Sequence, residues 1–118
     1  MTRNLRKDGS AHEEKAKAFL EKYGIRIVDM NFRNRFGEID LIGYEGDVLV
    51  FFEVKYRSSS ASGYAEDAVN AKKRHTICKV ADYYRMLHGI GDFQAIRFDV
   101  IAMNDRDIHW VKDAFAYC

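Results

Sequence analysis

The stretch Val48-Leu49-Val50-Phe51-Phe52-Glu53-Val54-Lys55 constrains the fold more than any other part of this 118-residue chain. Side chains alternate across a strand, so Leu49, Phe51, Glu53 and Lys55 take one face and Val48, Val50, Phe52 and Val54 the other. Both faces are apolar up to Glu53. Such a strand belongs inside a sheet covered on both sides, where an ionised carboxylate is costly unless it is paired or binds a metal. The stretch Gly37-Glu38-Ile39-Asp40-Leu41-Ile42 repeats the conflict, with Glu38 and Asp40 assigned to one face and Ile39 and Leu41 to the other.

Around this strand the chain reads as a single domain over residues 1–118, long enough to bury a core without staples. Ser10 and Glu13 have capping-box spacing, and Ala16, Phe19, Leu20 and Tyr23 recur at helical spacing up to Gly24. A helix is therefore expected to open at Ser10, leaving residues 1–9 flexible. Strands are expected over Ile25 to Met30, Phe36 to Gly43 and Val48 to Lys55, the last two forming an antiparallel hairpin through Glu45-Gly46-Asp47. The serine-rich Arg57 to Gly63 reads as a loop, Ala65 to Leu87 as a helix ending near Gly89, and Phe98 to Met103 and Ile108 to Val111 as two strands. Asp113 to Cys118 reads as a last short helical turn. The order αβββαββ favours an α/β fold with a mixed sheet flanked by helices.

Composition excludes some classes. Hydrophobic residues make up 47% and charged residues 31%, no apolar run approaches membrane-spanning length, and no signal-like segment opens the chain, which reads as cytoplasmic with no membrane partner. Cys78 and Cys118 are far apart in sequence, match no disulfide framework or zinc spacing, and carry no assigned role. The four histidines show no ligand spacing. A net charge of +1 does not call for nucleic acid, yet the basic residues cluster as Arg3/Arg6/Lys7, Arg33/Arg35, Lys55/Arg57 and Lys72/Lys73/Arg74 near the acidic motifs. Each cluster alone reads as solvated surface; together they offer Arg33, Arg35, Arg57 and Lys73 as phosphate contacts.

In a simple hairpin Asp40 and Glu53 end adjacent strands about 5 Å apart, with Lys55 beside them. Either a structural ion pair with Lys55 or a hard divalent cation held by Asp40 and Glu53 would relieve their repulsion. Glu13 projects into the apolar stripe of its helix, as a cap or as a further site carboxylate. Lys73 lies in the stripe of Val69, Ile77, Val80, Tyr84 and Leu87, either snorkelling or reaching toward the acids or a phosphate. Tyr83, Tyr84 and Trp110 read as core or sheet-face residues.

These residues, GEIDLI, FFEVKYR, Ala68-Val69 with Lys73, and Arg97-Phe98-Asp99-Val100-Ile101, resemble the YraN-type family of small bacterial proteins, over nearly the whole chain. That family in turn resembles the PD-(D/E)XK nuclease superfamily of restriction endonucleases and Holliday-junction resolvases. The resemblance implies a restriction-endonuclease-like αβββαβ core with an extra C-terminal strand. It implies that Asp40 is the motif aspartate, Glu53 and Lys55 the E-x-K pair, and Glu13 the helix-borne acid. Ile39 stands where the motif has proline, and His12 where a glycine commonly precedes the helix glutamate. The implied activity is Mg²⁺- or Mn²⁺-dependent endonucleolytic cleavage of nucleic acid, DNA above all, including branched or repair intermediates. Resolvase-type cutting would call for a homodimer, which nothing in the sequence fixes. The alternative is a nucleic-acid-binding module of the same fold with little or no turnover.

Overall fold

The computed structural model describes residues 3–57 and 69–118, with side chains from residue 11 onward. Its elements are α1 (Arg3–Lys22), β1 (Arg26–Asn34), β2 (Gly37–Glu45), β3 (Val48–Tyr56), α2 (Ala71–His88), β4 (Ile96–Met103) and β5 (Ile108–Phe115). The strands form one mixed sheet in the order β1-β2-β3-β4-β5. Three of its pairings are antiparallel; β3 and β4, joined through α2, are parallel. This is the expected α/β class and element order.

Strand β3 sits centrally because both its faces are covered. Leu49 and Phe51 pack with Ile77 and Val80 of α2, whereas Val50 and Phe52 pack with Ala16 and Leu20 of α1. Full burial of each phenylalanine is worth roughly 1.5–3 kcal/mol, so this strand alone goes far to fix the two-sided arrangement.

Several boundaries differ from the sequence expectation. Helix α1 starts at Arg3, so Ser10 and Glu13 lie within it, the capping box does not form its start, and residues 3–9 are helical. It ends as anticipated at Gly24, whose φ of +93° lets Gly24 and Ile25 donate to the carbonyls of Glu21 and Leu20. Tyr23, assigned to the inner stripe, is 58% exposed at this fraying end. Strand β1 runs past Met30 to Asn34, and β5 past Val111 to Phe115. No helical turn forms over Asp113 to Cys118: Asp113 adopts a φ of 55° beside the register shift opposite Phe98 and Val100, and the strand continues. Helix α2 begins at Ala71, capped by the Asn70 side chain accepting from the Lys73 amide, and ends at Gly89 in the left-handed region. The stretch 65–68 of the expected helix and 58–63 of the expected loop lie outside the described residues.

The two cysteines, remote in sequence, meet in space. The Cys118 amide donates to Cys78 Sγ at 3.1 Å and the two sulfurs lie 2.8 Å apart, joining the chain's last residue to α2; burial pushes the Cys78 thiol up to about 12. No helix among the described residues is long and apolar enough to cross a membrane.

Candidate metal centre where two strands part

The site is created by an interruption of the sheet. Pairing of β2 with β3 stops at Leu41 and Phe52, although β2 remains paired with β1 as far as Gly37 and β3 with β4 as far as Tyr56. Asp40 fills the opening: its Oδ2 accepts a 2.7 Å hydrogen bond from the Val54 amide, replacing a backbone partner with a side chain. The alternation of β2 breaks at the same place. Strict period two would put Ile39 and Leu41 on one face, as the sequence suggests, but Ile39 packs with the α2-side core and Leu41 with the α1-side core. Asp40 is left at the seam between the two faces.

Helix α1 brings a second acid to the seam. Ala16 and Leu20, one and two turns beyond Glu13, are buried against the sheet, and that orientation aims Glu13 the same way. Stacking of His12 on Tyr56, with ring centroids 3.9 Å apart, fastens this part of the helix to the end of β3. Glu13, Glu38 and Asp40 each present a carboxylate oxygen, all within 4.8 Å of one another.

Three acids so close cannot all stay ionised at ordinary cost. Burial, followed by the charge of Glu53, pushes Asp40 up to about 8 against the opposing Val54 amide; Glu13 and Glu38 raise it further. Burial also raises Glu13, countered by hydrogen bonds from the Asn31 side chain and from Asp40. Burial and the neighbouring charges thus favour a proton on Asp40, facing Glu13. Arg33 Nη2 reaches Glu38 Oε2 at 3.4 Å from the rim, mostly in solvent.

On the α2 side Glu53 is 5% exposed, and its Oε2 lies 3.3 Å from Lys55 Nζ and 3.4 Å from Lys73 Nζ. Lys73 thus does more than cover apolar surface: the first turn of α2 delivers it to the buried acid. Glu53 lies outside the three-carboxylate group, and its link to that group is the charge it exerts on Asp40.

Six of the residues singled out from sequence, Glu13, Arg33, Asp40, Glu53, Lys55 and Lys73, thus converge on the seam. Arg35 does not; it lies in the β1–β2 turn with its guanidinium over the Phe36 ring, and Arg57 is exposed just past β3. Two residues were missed. Glu38 shares a strand face with Asp40 by simple alternation, which was the available signal. Asn31, bracketed by the pairs Met30–Leu41 and Phe32–Ile39, lies across from Asp40 with a φ of 54°. Asparagine tolerates that conformation better than most residues, but in a strand that also carries Arg26, Asp29, Arg33 and Asn34 it gave no signal of its own.

The donor set suits a hard divalent cation. Carboxylate oxygens are the preferred ligands of Mg²⁺ and Mn²⁺, and Asp40 belongs to the trio while also feeling the charge of Glu53.

The model of the family described as Uncharacterised protein family UPF0102 matches residues 12–103. A UPF0102 protein of Syntrophus aciditrophicus is 42% identical over 98% of this chain and 92% of its own length. One of Halorhodospira halophila is 42% identical over 97% and 92%, and one of Lachnoclostridium phytofermentans 36% identical over 95% of both chains. The extent of these matches agrees with the YraN-type resemblance of the motifs, and this chain belongs to the UPF0102 family.

Proposed function

We propose that the protein is a divalent-metal-dependent endonuclease that hydrolyses phosphodiester bonds in nucleic acid, DNA above all. The observation that carries this reading is the juxtaposition, at one break in the sheet, of a carboxylate trio with too few protein donors and a buried glutamate holding two lysines. A structural ion pair would explain Glu53 alone, but leaves the trio without a purpose.

Asp40, with Glu13 and Glu38 from one side and Glu53 from the other, would hold Mg²⁺ or Mn²⁺, which when bound polarises a phosphoryl oxygen and makes water a better nucleophile. Asp40 would give up its proton on binding the ion, since only the ionised carboxylate is a strong ligand. Glu53 fixes the ammonium groups of Lys55 and Lys73 at the mouth of the seam. Lys55 orients the attacking water and offsets the negative charge that builds on the phosphoryl oxygens, and Lys73 contacts the neighbouring phosphate. Arg33 exchanges its loose contact with Glu38 for the backbone of the substrate.

Cleavage of labelled duplex, branched and single-stranded DNA in Mg²⁺ or Mn²⁺, by wild type and by Asp40→Ala, Glu53→Ala and Lys55→Ala, tests the reading. Activity is expected for wild type and its loss in each variant. Cleavage that survives all three substitutions removes the site; metal-independent binding without cleavage by wild type assigns the protein to the non-catalytic alternative.

A further inference from the structure

The β1–β2 turn carries a feature the proposed chemistry does not use. Phe36, 42% exposed, stands between two cations, Arg35 at 5.1 Å and Lys79 of α2 at 5.6 Å from the ring centroid. Beside it Tyr83, 37% exposed, closes a cleft of about 340 Å³ lined by Asn34, Arg35, Phe36 and Tyr83. The expectation that Tyr83 serves the core is thus corrected: Tyr84 is buried, and Tyr83 faces out, backed by Phe32 at 6.4 Å.

The cleft is built rather than incidental. The turn lies so close to α2 that a Cβ at Gly37 would come within 2.7 Å of Thr76 Cγ2, and Lys79, nearly one turn beyond Thr76, reaches the Phe36 ring. Lys79 and Tyr83 are one turn apart on α2, and Lys73, about a quarter-turn round the helix on its sheet-facing side, lies about 15 Å from Tyr83 along the axis. An exposed aromatic pair flanked by positive charge offers ring faces to a planar apolar group and cations to the anions attached to it.

We infer that this cleft stacks an unpaired nucleobase between Phe36 and Tyr83, with Arg35 and Lys79 on the adjoining phosphates, so that the substrate carries a single-stranded segment beside the scissile bond. This inference rests on the nuclease reading and narrows its substrate class. A blunt duplex keeps its base faces stacked internally and has nothing to place in the cleft. Base stacking on aromatic side chains is sequence-tolerant, so the cleft selects strand state rather than sequence.

The test is binding of a fluorescein-labelled single strand and of a blunt duplex, with Ca²⁺ replacing Mg²⁺ to separate binding from turnover. Phe36→Ala/Tyr83→Ala is expected to weaken single-strand binding about tenfold and leave duplex binding and the melting temperature unchanged. Independently of any variant, 2-aminopurine in the single strand should lose fluorescence on binding wild type. Equal single-strand affinity of variant and wild type, or absence of quenching, overturns the inference while leaving the nuclease reading intact. Failure of wild type to bind or cleave any nucleic acid overturns both.

Discussion

Asp99 and Asp40 are both acids largely taken out of water in the same sheet, and their surroundings are opposite. Asp99, fully buried on β4, accepts two parallel hydrogen bonds from Arg97 and one each from Trp110 Nε1 and the Asp113 amide, all at 2.9 Å. Arg97 is itself anchored by Glu45 at 2.8 Å, which also binds Lys112. Asp40 has one backbone donor and three acidic neighbours. A carboxylate whose charge and lone pairs are matched holds the fold together; one left short of donors among like charges is poised to take a cation. Burial alone does not mark a functional acid. The balance of donors around it does.

The strongest way to break this contrast is to remove each acid in turn. Asp99→Ala leaves the Trp110 indole N–H and the Asp113 amide without an acceptor and Arg97 with Glu45 alone, and should cost about 3 kcal/mol in urea denaturation. Asp40→Asn should not destabilise the metal-free protein at pH 8; similar losses in the two variants would erase the distinction. Next, saturating Mg²⁺ should stabilise wild type by about 2–3 kcal/mol at a hundredfold excess over its dissociation constant, and Asp40→Asn by far less, read from melting with and without EDTA.

The pH dependence sharpens the comparison further. Folded Asp40 holds a proton to about 8 that the unfolded chain releases near the ordinary 3.8. The stability it contributes is therefore complete below the lower value, falls as pH rises between the two, and is gone above the upper. In EDTA the slope should be on the order of 1 kcal/mol per pH unit, and Asp40→Asn should flatten it. Smallest of all is the expected effect of Asn31→Gly. Glycine relaxes the positive φ but removes a hydrogen bond to Glu13, two changes of about 1 kcal/mol or less that oppose each other. Stability should hardly move; Mn²⁺ affinity should fall, and an unchanged affinity would make Asn31 a purely conformational residue.

Much of this was legible in the sequence, for identifiable reasons. Period-two alternation assigned Glu53 and Lys55 to one face of a two-sided strand, and helical projection aimed Glu13 and Lys73 inward, because those patterns are local. The break between Asp40 and Leu41 was not legible, since it follows from β2 leaving β3 while keeping β1, a tertiary event. The start of α1 was misplaced because Ser10 and Glu13 have capping-box spacing yet lie within a helix already under way. Asp99 went unrecognised as a buried anchor although Arg97 stands two residues before it, on the same strand face, where a bidentate pair is natural. Tyr83 looked like a core residue beside Tyr84 because a projection separates neighbours by angle alone and says nothing of the turn that shapes a cleft around it.

The central claim is that the seam acids share a proton which a divalent cation displaces. Calorimetric titration of the metal-free protein with Mn²⁺ at pH 7, in buffers of different ionisation enthalpy, measures uptake and proton release together. Binding with close to one proton released per ion is expected, and neither in Asp40→Asn; no uptake by wild type, or uptake without proton release that Asp40→Asn reproduces, would contradict a shared, displaceable proton.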